Sequence, residues 1–135
     1  GVGTRLDVSV DAPYLECVYK LQEYAGRPRH KRSTGKATWP GRKQVFRDCG
    51  PDGVIVADTI GLADEPLPGR PMLVPAMRGG RRLARPTLAE VRARARAEIS
   101  TLPAECRRLY DPESIVPAVS DRLRAAAARV DREFP

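Results

Sequence analysis

Gly1, Gly3 and Thr4 are the first residues whose types and spacing suit ligand chemistry. They stand in the order Gly-Val-Gly-Thr at the start of the sequence. Two glycines separated by one residue let the backbone turn sharply and expose its N–H groups, and the threonine hydroxyl adds a donor. Donors of this kind bind phosphate. The pattern predicts a phosphate-binding turn, although it is short enough to arise by chance and stands where chains often fray.

A second candidate site is a run of positive charge between Arg27 and Arg47. The run contains eight basic residues and no acidic one. The whole chain has 24 Lys and Arg against 17 Asp and Glu, so this segment accounts for the entire positive excess. Clustered cations attract phosphates. We predict a substrate-phosphate patch at Lys36, Arg42 and Lys43, with a solvated hairpin face as the alternative.

Other reactive side chains give weaker signals. The cysteines are Cys17, Cys49 and Cys106. Their odd number and wide spacing argue against a disulfide framework or a zinc site and predict thiols that are buried as small hydrophobes. His30 has basic neighbours and no nearby carboxylate in the sequence to orient its ring, which disfavours a general-base role. Asp64 and Glu65 stand beside a proline and are predicted to be solvated loop charges. No catalytic or metal-binding residue is assigned.

Two β-hairpins are expected to carry the basic segment. Residues 16–33 are predicted to form a hairpin that turns at Ala25-Gly26, followed by a loop over 34–43. Residues 45–49 and 54–60 flank Gly50-Pro51-Asp52-Gly53, a strong turn signal, and are predicted to form a second hairpin. A proline-rich linker over 64–71 and a short strand over 72–77 should follow.

Helical patterns occupy the last third of the chain. Thr87 and Glu90 have capping-box spacing, and an apolar stripe predicts an amphipathic helix that packs against the sheet and ends at Pro103. The stripe consists of Leu88, Val91, Ala95, Ile99 and Leu102. A helical turn over 106–110 and an extended piece over 114–119 precede a final helix that Ser120 caps. The apolar side of that helix carries Leu123, Ala127, Val130 and Phe134.

These elements predict an α+β fold of antiparallel β-hairpins with two C-terminal helices. No run approaches the roughly 20 apolar residues of a membrane-spanning helix, and no signal peptide is visible, so we expect no membrane contact. Free thiols fit a reducing cytosol, so we expect a cytoplasmic protein. The sequence starts with Gly1 rather than methionine. We therefore expect a chain that begins inside a longer protein. Aromatic residues make up only 5% of the chain, which disfavours a nucleic-acid platform.

Taken together, these motifs resemble the C-terminal part of the nicotinate phosphoribosyltransferases in order and spacing. The resemblance covers nearly all of the chain. It rests on Gly1-Val2-Gly3-Thr4, Val18-Tyr19-Lys20-Leu21, Gly26-Arg27-Pro28-Arg29, Lys36-Ala37-Thr38-Trp39-Pro40-Gly41-Arg42-Lys43, Phe46-Arg47 and Leu62-Ala63-Asp64-Glu65-Pro66.

The resemblance implies the end of a type II phosphoribosyltransferase with an α/β barrel. Residues 1–15 would end the barrel and carry the phosphate-binding turn, 16–86 would form the β-hairpin region with its basic loop, and 87–135 the C-terminal helical region. Gly1, Gly3 and Thr4 would bind the 5′-phosphate of the ribosyl group.

The resemblance also implies an activity for the intact enzyme, which would join nicotinate to phosphoribosyl pyrophosphate in NAD salvage. That enzyme would hydrolyse ATP, require Mg²⁺ and form a homodimer. No cofactor is evident for this chain, and the chain alone is expected to be inactive. A small basic nucleic-acid-binding module or a structural dimerisation module is the alternative.

Overall fold

The computed structural model describes residues 20–35 and 37–133. The strands in this part are β1 (Glu23–Tyr24), β2 (Arg27–Pro28), β3 (Lys43–Cys49), β4 (Ile55–Leu62), β5 (Arg70–Pro71), β6 (Met77–Arg78), β7 (Arg81–Arg82) and β8 (Ala118–Val119). The helices are α1 (Leu88–Ser100), a short 3-10 helix (Glu105–Arg107) and α2 (Asp121–Glu133). This content confirms the predicted α+β class.

The β3–β4 hairpin is the centre of the fold. The two strands pair antiparallel, with Phe46 opposite Thr59, and a bulge interrupts the ladder between Asp48 and Cys49. The turn closes through a hydrogen bond of 2.8 Å from the Gly50 N–H to the Val54 carbonyl. The predicted hairpin is confirmed, and both strands extend two residues further at their outer ends than the turn and β-propensity signals indicated.

Two short strands widen this hairpin into a four-stranded sheet of order β5-β3-β4-β8. β5 pairs antiparallel with β3, and β8 pairs parallel with β4. The predicted linker over 64–71 thus ends in a strand. The strand expected over 72–77 is limited to Met77–Arg78, which forms a small hairpin with Arg81–Arg82.

Helix α2 provides most of the core. It buries Leu123, Ala126 and Val130, while Phe46 and Ile55 are the buried apolar side chains of the sheet. Of the predicted apolar side of the helix, Leu123 and Val130 are buried, Ala127 is half-buried, and Phe134 lies outside the described residues. The predicted cap is confirmed, because the Ser120 hydroxyl oxygen accepts a 3.2 Å hydrogen bond from the Leu123 N–H. The cap fixes where α2 begins, directly after β8.

Helix α1 is formed but not covered. Its capping box is confirmed, since the Thr87 hydroxyl accepts from the Glu90 N–H and the Glu90 carboxylate accepts from the Thr87 N–H. Within the described part of the chain, however, α1 buries none of its side chains. The expected packing of Leu88, Val91 and Ile99 is therefore not met here.

The first hairpin turns where it was predicted, at Ala25-Gly26. Both residues adopt positive φ angles, 48° and 71°, as a tight hairpin turn requires. Its strands are two residues long each, much shorter than the predicted 16–33.

The expectation of buried thiols is wrong for Cys49, which is free and exposed because it lies at the bulged end of β3. Cys106 is free and half-buried. Cys17 lies outside the described residues.

No helix among the described residues is long and apolar enough to cross a membrane.

Candidate functional site

The predicted phosphate-binding turn and part of the predicted patch lie outside the described residues. This applies to Gly1, Gly3, Thr4 and Lys36. Their roles remain predictions. Arg42 and Lys43 are described, and the structure places their side chains in different surroundings.

The ammonium group of Lys43 is turned towards the chain itself. Its Nζ donates to the carbonyl of Trp39 at 2.7 Å, to that of Gly41 at 2.6 Å and to the Gln22 side-chain oxygen. Burial lowers the pKa of this ammonium, and the charge of Glu23 opposes the effect. An ammonium has three donors. All three are occupied, so a phosphate contact from Lys43 would have to displace one of them.

Arg42 is exposed and lines an open cleft of about 410 Å³. Glu23, Gly41, Leu62 and Asp64 form other parts of the wall. The backbone of Arg42 is fixed, since its carbonyl accepts a 2.9 Å hydrogen bond from the Ala63 N–H. Of the two described patch residues, Arg42 is the one whose side chain is accessible to an anion.

The expectation that Glu65 is a solvated loop charge is wrong. Its side chain is 8% exposed, and one carboxylate oxygen accepts from the Ser120 hydroxyl at 2.7 Å and from the Leu62 N–H at 2.9 Å. The buried carboxylate thereby joins the end of β4 to the first turn of α2. Asp64 does remain exposed, and the hydrogen bond from Arg122 at 3.0 Å lowers the pKa of its carboxyl group.

Gly61 gives Glu65 the space it needs beside β4. A Cβ atom at this position would lie 2.5 Å from the Leu67 side chain and 2.9 Å from the Glu65 carboxylate oxygen. Such distances are far below van der Waals contact. A side chain at position 61 would therefore force the Leu67 and Glu65 side chains to shift.

Arg47 holds a second carboxylate at the middle of the β3–β4 hairpin. Its guanidinium makes two hydrogen bonds of 2.8 Å to Asp58, and a further contact of 3.4 Å to Glu98 of α1. The hydrogen bond from Arg47 lowers the pKa of Asp58, so this carboxyl group is ionised at neutral pH. Arg70 also contacts Glu98, at 3.2 Å. These ion pairs attach the last turn of α1 to the sheet.

His30 does have a carboxylate partner, contrary to the sequence-based expectation. Its Nε2 lies 3.1 Å from the Asp131 carboxylate in α2, and its Nδ1 lies 3.2 Å from the Thr38 carbonyl. Asp131 is 101 residues away in the chain. The Arg124 guanidinium lies 5.9 Å from the centre of the Trp39 ring, a cation–π distance. Both contacts fasten the basic loop to α2.

The described polar groups are thus arranged for holding elements together. Over residues 20–35 and 37–133, no group of three or more His, Cys, Asp or Glu side chains could hold a metal ion. Of the two predicted site residues that the structure describes, Arg42 is the one that faces accessible space, at the open cleft.

Comparison with known proteins assigns the family. The family model described as the nicotinate phosphoribosyltransferase C-terminal domain matches residues 66–126. The nicotinate phosphoribosyltransferase pncB2 of Mycobacterium tuberculosis (strain ATCC 25618 / H37Rv) is 50% identical over 133 residues, which cover 96% of this chain. The chain belongs to the nicotinate phosphoribosyltransferase family.

A solved structure supports the same relationship. The crystal structure of human nicotinic acid phosphoribosyltransferase matches with a TM-score of 0.73 and 32% identity, covering 84% of this chain and 26% of that one. The human nicotinate phosphoribosyltransferase sequence is 33% identical over 151 residues, which cover 93% of this chain. This chain spans 28% of the length of the M. tuberculosis and human relatives. It therefore corresponds to the C-terminal region of the nicotinate phosphoribosyltransferases.

Proposed function

We propose that this chain supplies the C-terminal domain of an enzyme that joins nicotinate and phosphoribosyl pyrophosphate into nicotinate mononucleotide and pyrophosphate. ATP is hydrolysed to ADP and phosphate in the same cycle, and the enzyme acts in NAD salvage in the cytoplasm. The observation that carries the proposal is the 50% identity over 96% of the chain to a protein named nicotinate phosphoribosyltransferase. A nucleic-acid-binding or dimerisation module is not favoured by these relationships.

In this proposal the domain contributes binding and support rather than bond-making groups. Gly1, Gly3 and Thr4 bind the ribosyl 5′-phosphate, while the base and pyrophosphate are positioned by the part of the enzyme outside this chain. We propose that Mg²⁺ and ATP act in the intact enzyme, which is a homodimer, as membership of the family implies. Positioning supplies most of the catalysis in such a transfer.

The activity is tested with a chimera, in which this chain replaces the matching region of the M. tuberculosis pncB2 relative. We expect the chimera to form nicotinate mononucleotide from nicotinate, phosphoribosyl pyrophosphate and ATP, measured by chromatography. The 135-residue chain alone should form none, because it lacks most of the length of its relatives. A folded but inactive chimera, or an active isolated chain, would contradict the proposal.

For the phosphate patch we propose Arg42 as the contact among the described residues, since Lys43 is internally bonded. Arg42→Glu in the chimera is expected to raise the KM for phosphoribosyl pyrophosphate about tenfold, because a charge-assisted hydrogen bond contributes roughly 1.5–3 kcal/mol. Arg107→Glu, at another exposed arginine, is the control and should leave this KM unchanged. An unchanged KM in Arg42→Glu assigns the residue to a solvated surface.

A further inference from the structure

The uncovered face of α1 continues into a groove. Leu88 and Val91 are exposed, and Arg94 and Glu98 follow on the same side of the helix at spacings of three and four residues. Arg94 and Glu98 form one wall of a groove of about 570 Å³. We call the surface formed by Leu88, Val91, Arg94 and Glu98, together with the groove beside them, the α1 face.

The other wall of the groove comes from β5 and the segment that follows it. Pro71, Met72 and Val74 line it, and Val74 is 77% exposed. The next element, the β6–β7 hairpin, exposes Met77, which is 61% accessible. The groove therefore has one charged wall and one mainly apolar wall, and exposed apolar side chains continue beyond it at Leu88, Val91 and Met77.

These elements do not have enough internal packing to be stable alone. Among residues 20–35 and 37–133, none of the 13 residues of α1 is buried, and isolated helices of this length are marginal in water. β6 and β7 are two residues each, and a single short hairpin is marginal as well. Since the helix is well capped and its apolar residues have helical spacing, a covering surface is the missing component.

The charge of this region indicates what covers it. Between Arg70 and Ser100 there are eight arginines and two acidic residues. Two copies of the α1 face would bring like charges together at the rim of an apolar contact, which disfavours self-association. A complementary surface would be apolar at its centre and acidic at its edge.

We propose that the α1 face docks against the part of the family's polypeptide that this chain does not contain, at an apolar surface flanked by carboxylates. This chain spans 28% of the length of its M. tuberculosis relative, so a longer partner segment exists in the family. The match of 26% of the human chain at a TM-score of 0.73 is consistent with this domain keeping its fold inside a larger enzyme. The inference rests on the chain's membership of the family, and it holds whether or not the chimera is enzymatically active.

Hydrogen exchange tests the docking. Amides over 72–78 and 88–100 are measured by mass spectrometry in the isolated chain and in the chimera defined above. We expect exchange in these segments to be at least about tenfold slower in the chimera, while the β3–β4 hairpin serves as the internal reference. Tenfold corresponds to about 1.4 kcal/mol of added protection. In the isolated chain we expect fast exchange over 88–100, because α1 is uncovered. Slow exchange of these amides in the isolated chain would overturn the proposal.

A pair of matched variants separates docking from folding. Val74→Asp should lower the melting temperature of the chimera by several degrees and leave that of the isolated chain unchanged. Val56→Asp makes the same change at a valine of β4 that is 65% exposed and outside the groove, and it should have equal effects in both proteins. Equal effects of Val74→Asp in both proteins overturn the proposal.

Two other occupants give different results. A dimer of the isolated chain in sedimentation that Val74→Asp dissociates identifies a second copy and overturns the proposal. Slower exchange of 88–100 on adding a DNA duplex to the isolated chain identifies nucleic acid instead. A chimera that shows the expected protection but forms no nicotinate mononucleotide supports the docking and contradicts only the proposed function.

Discussion

Replacing Glu65 with alanine is expected to lower the free energy of unfolding by about 3 kcal/mol, because a buried hydroxyl and a half-buried N–H lose their acceptor. The donors are the Ser120 hydroxyl at 2.7 Å and the Leu62 N–H at 2.9 Å. The same hydroxyl oxygen caps α2, so the carboxylate also fixes the orientation of the cap. Urea unfolding of the 135-residue chain, followed by circular dichroism, measures the change.

Two further substitutions define what the Glu65 result means. Glu65→Gln keeps an acceptor oxygen and should cost less than Glu65→Ala. Asp64→Ala changes the neighbouring carboxylate, which is exposed and paired with Arg122 at the surface, and should leave stability almost unchanged. If Glu65→Ala costs less than about 0.5 kcal/mol, as ordinary surface changes do, the buried carboxylate does not stabilise the junction.

Features that depend on neighbouring residues were predictable from the sequence. The Gly50-Pro51-Asp52-Gly53 turn sets the β3–β4 hairpin, and Ser120 sets the start of α2. In each case the residues that predict the turn or cap and the backbone groups that bond to them lie in the same short segment. Turn chemistry and capping act within four residues, so no tertiary information is needed.

Contacts between distant residues were not predictable in the same way. Glu65 and Ser120 are 55 residues apart, and a carboxylate beside a proline is typical of an exposed loop. His30 meets Asp131 only because the basic loop lies against α2. The inward direction of the Lys43 ammonium likewise depends on the carbonyl groups of Trp39 and Gly41 in the folded loop.

The candidate site was predictable to a different extent. Arg42 was selected from charge alone, and the structure places it at an open cleft. The apolar stripe of α1 correctly predicted a helix. The periodicity of a sequence shows that a helix has an apolar side, but it does not identify the surface that packs against that side. The α1 face is uncovered within the described residues, which is why the sequence could not identify its partner.

Leu123→Ala is expected to be among the most destabilising single truncations in the described core, at about 3 kcal/mol or more, since buried leucine-to-alanine changes cost roughly 2–5 kcal/mol. Leu123 is 0% exposed and lies in the first turn of α2, next to the Ser120 cap. Its truncation is expected to leave a cavity beside the contact between α2 and β4. The control is Leu109→Ala, at a leucine that is 87% exposed and should change stability little. Urea midpoints for the two variants of the 135-residue chain give the comparison. Equal midpoints would mean that α2 does not pack on the sheet through Leu123, whereas a drop confined to Leu123→Ala shows that the contact between α2 and the sheet stabilises the domain.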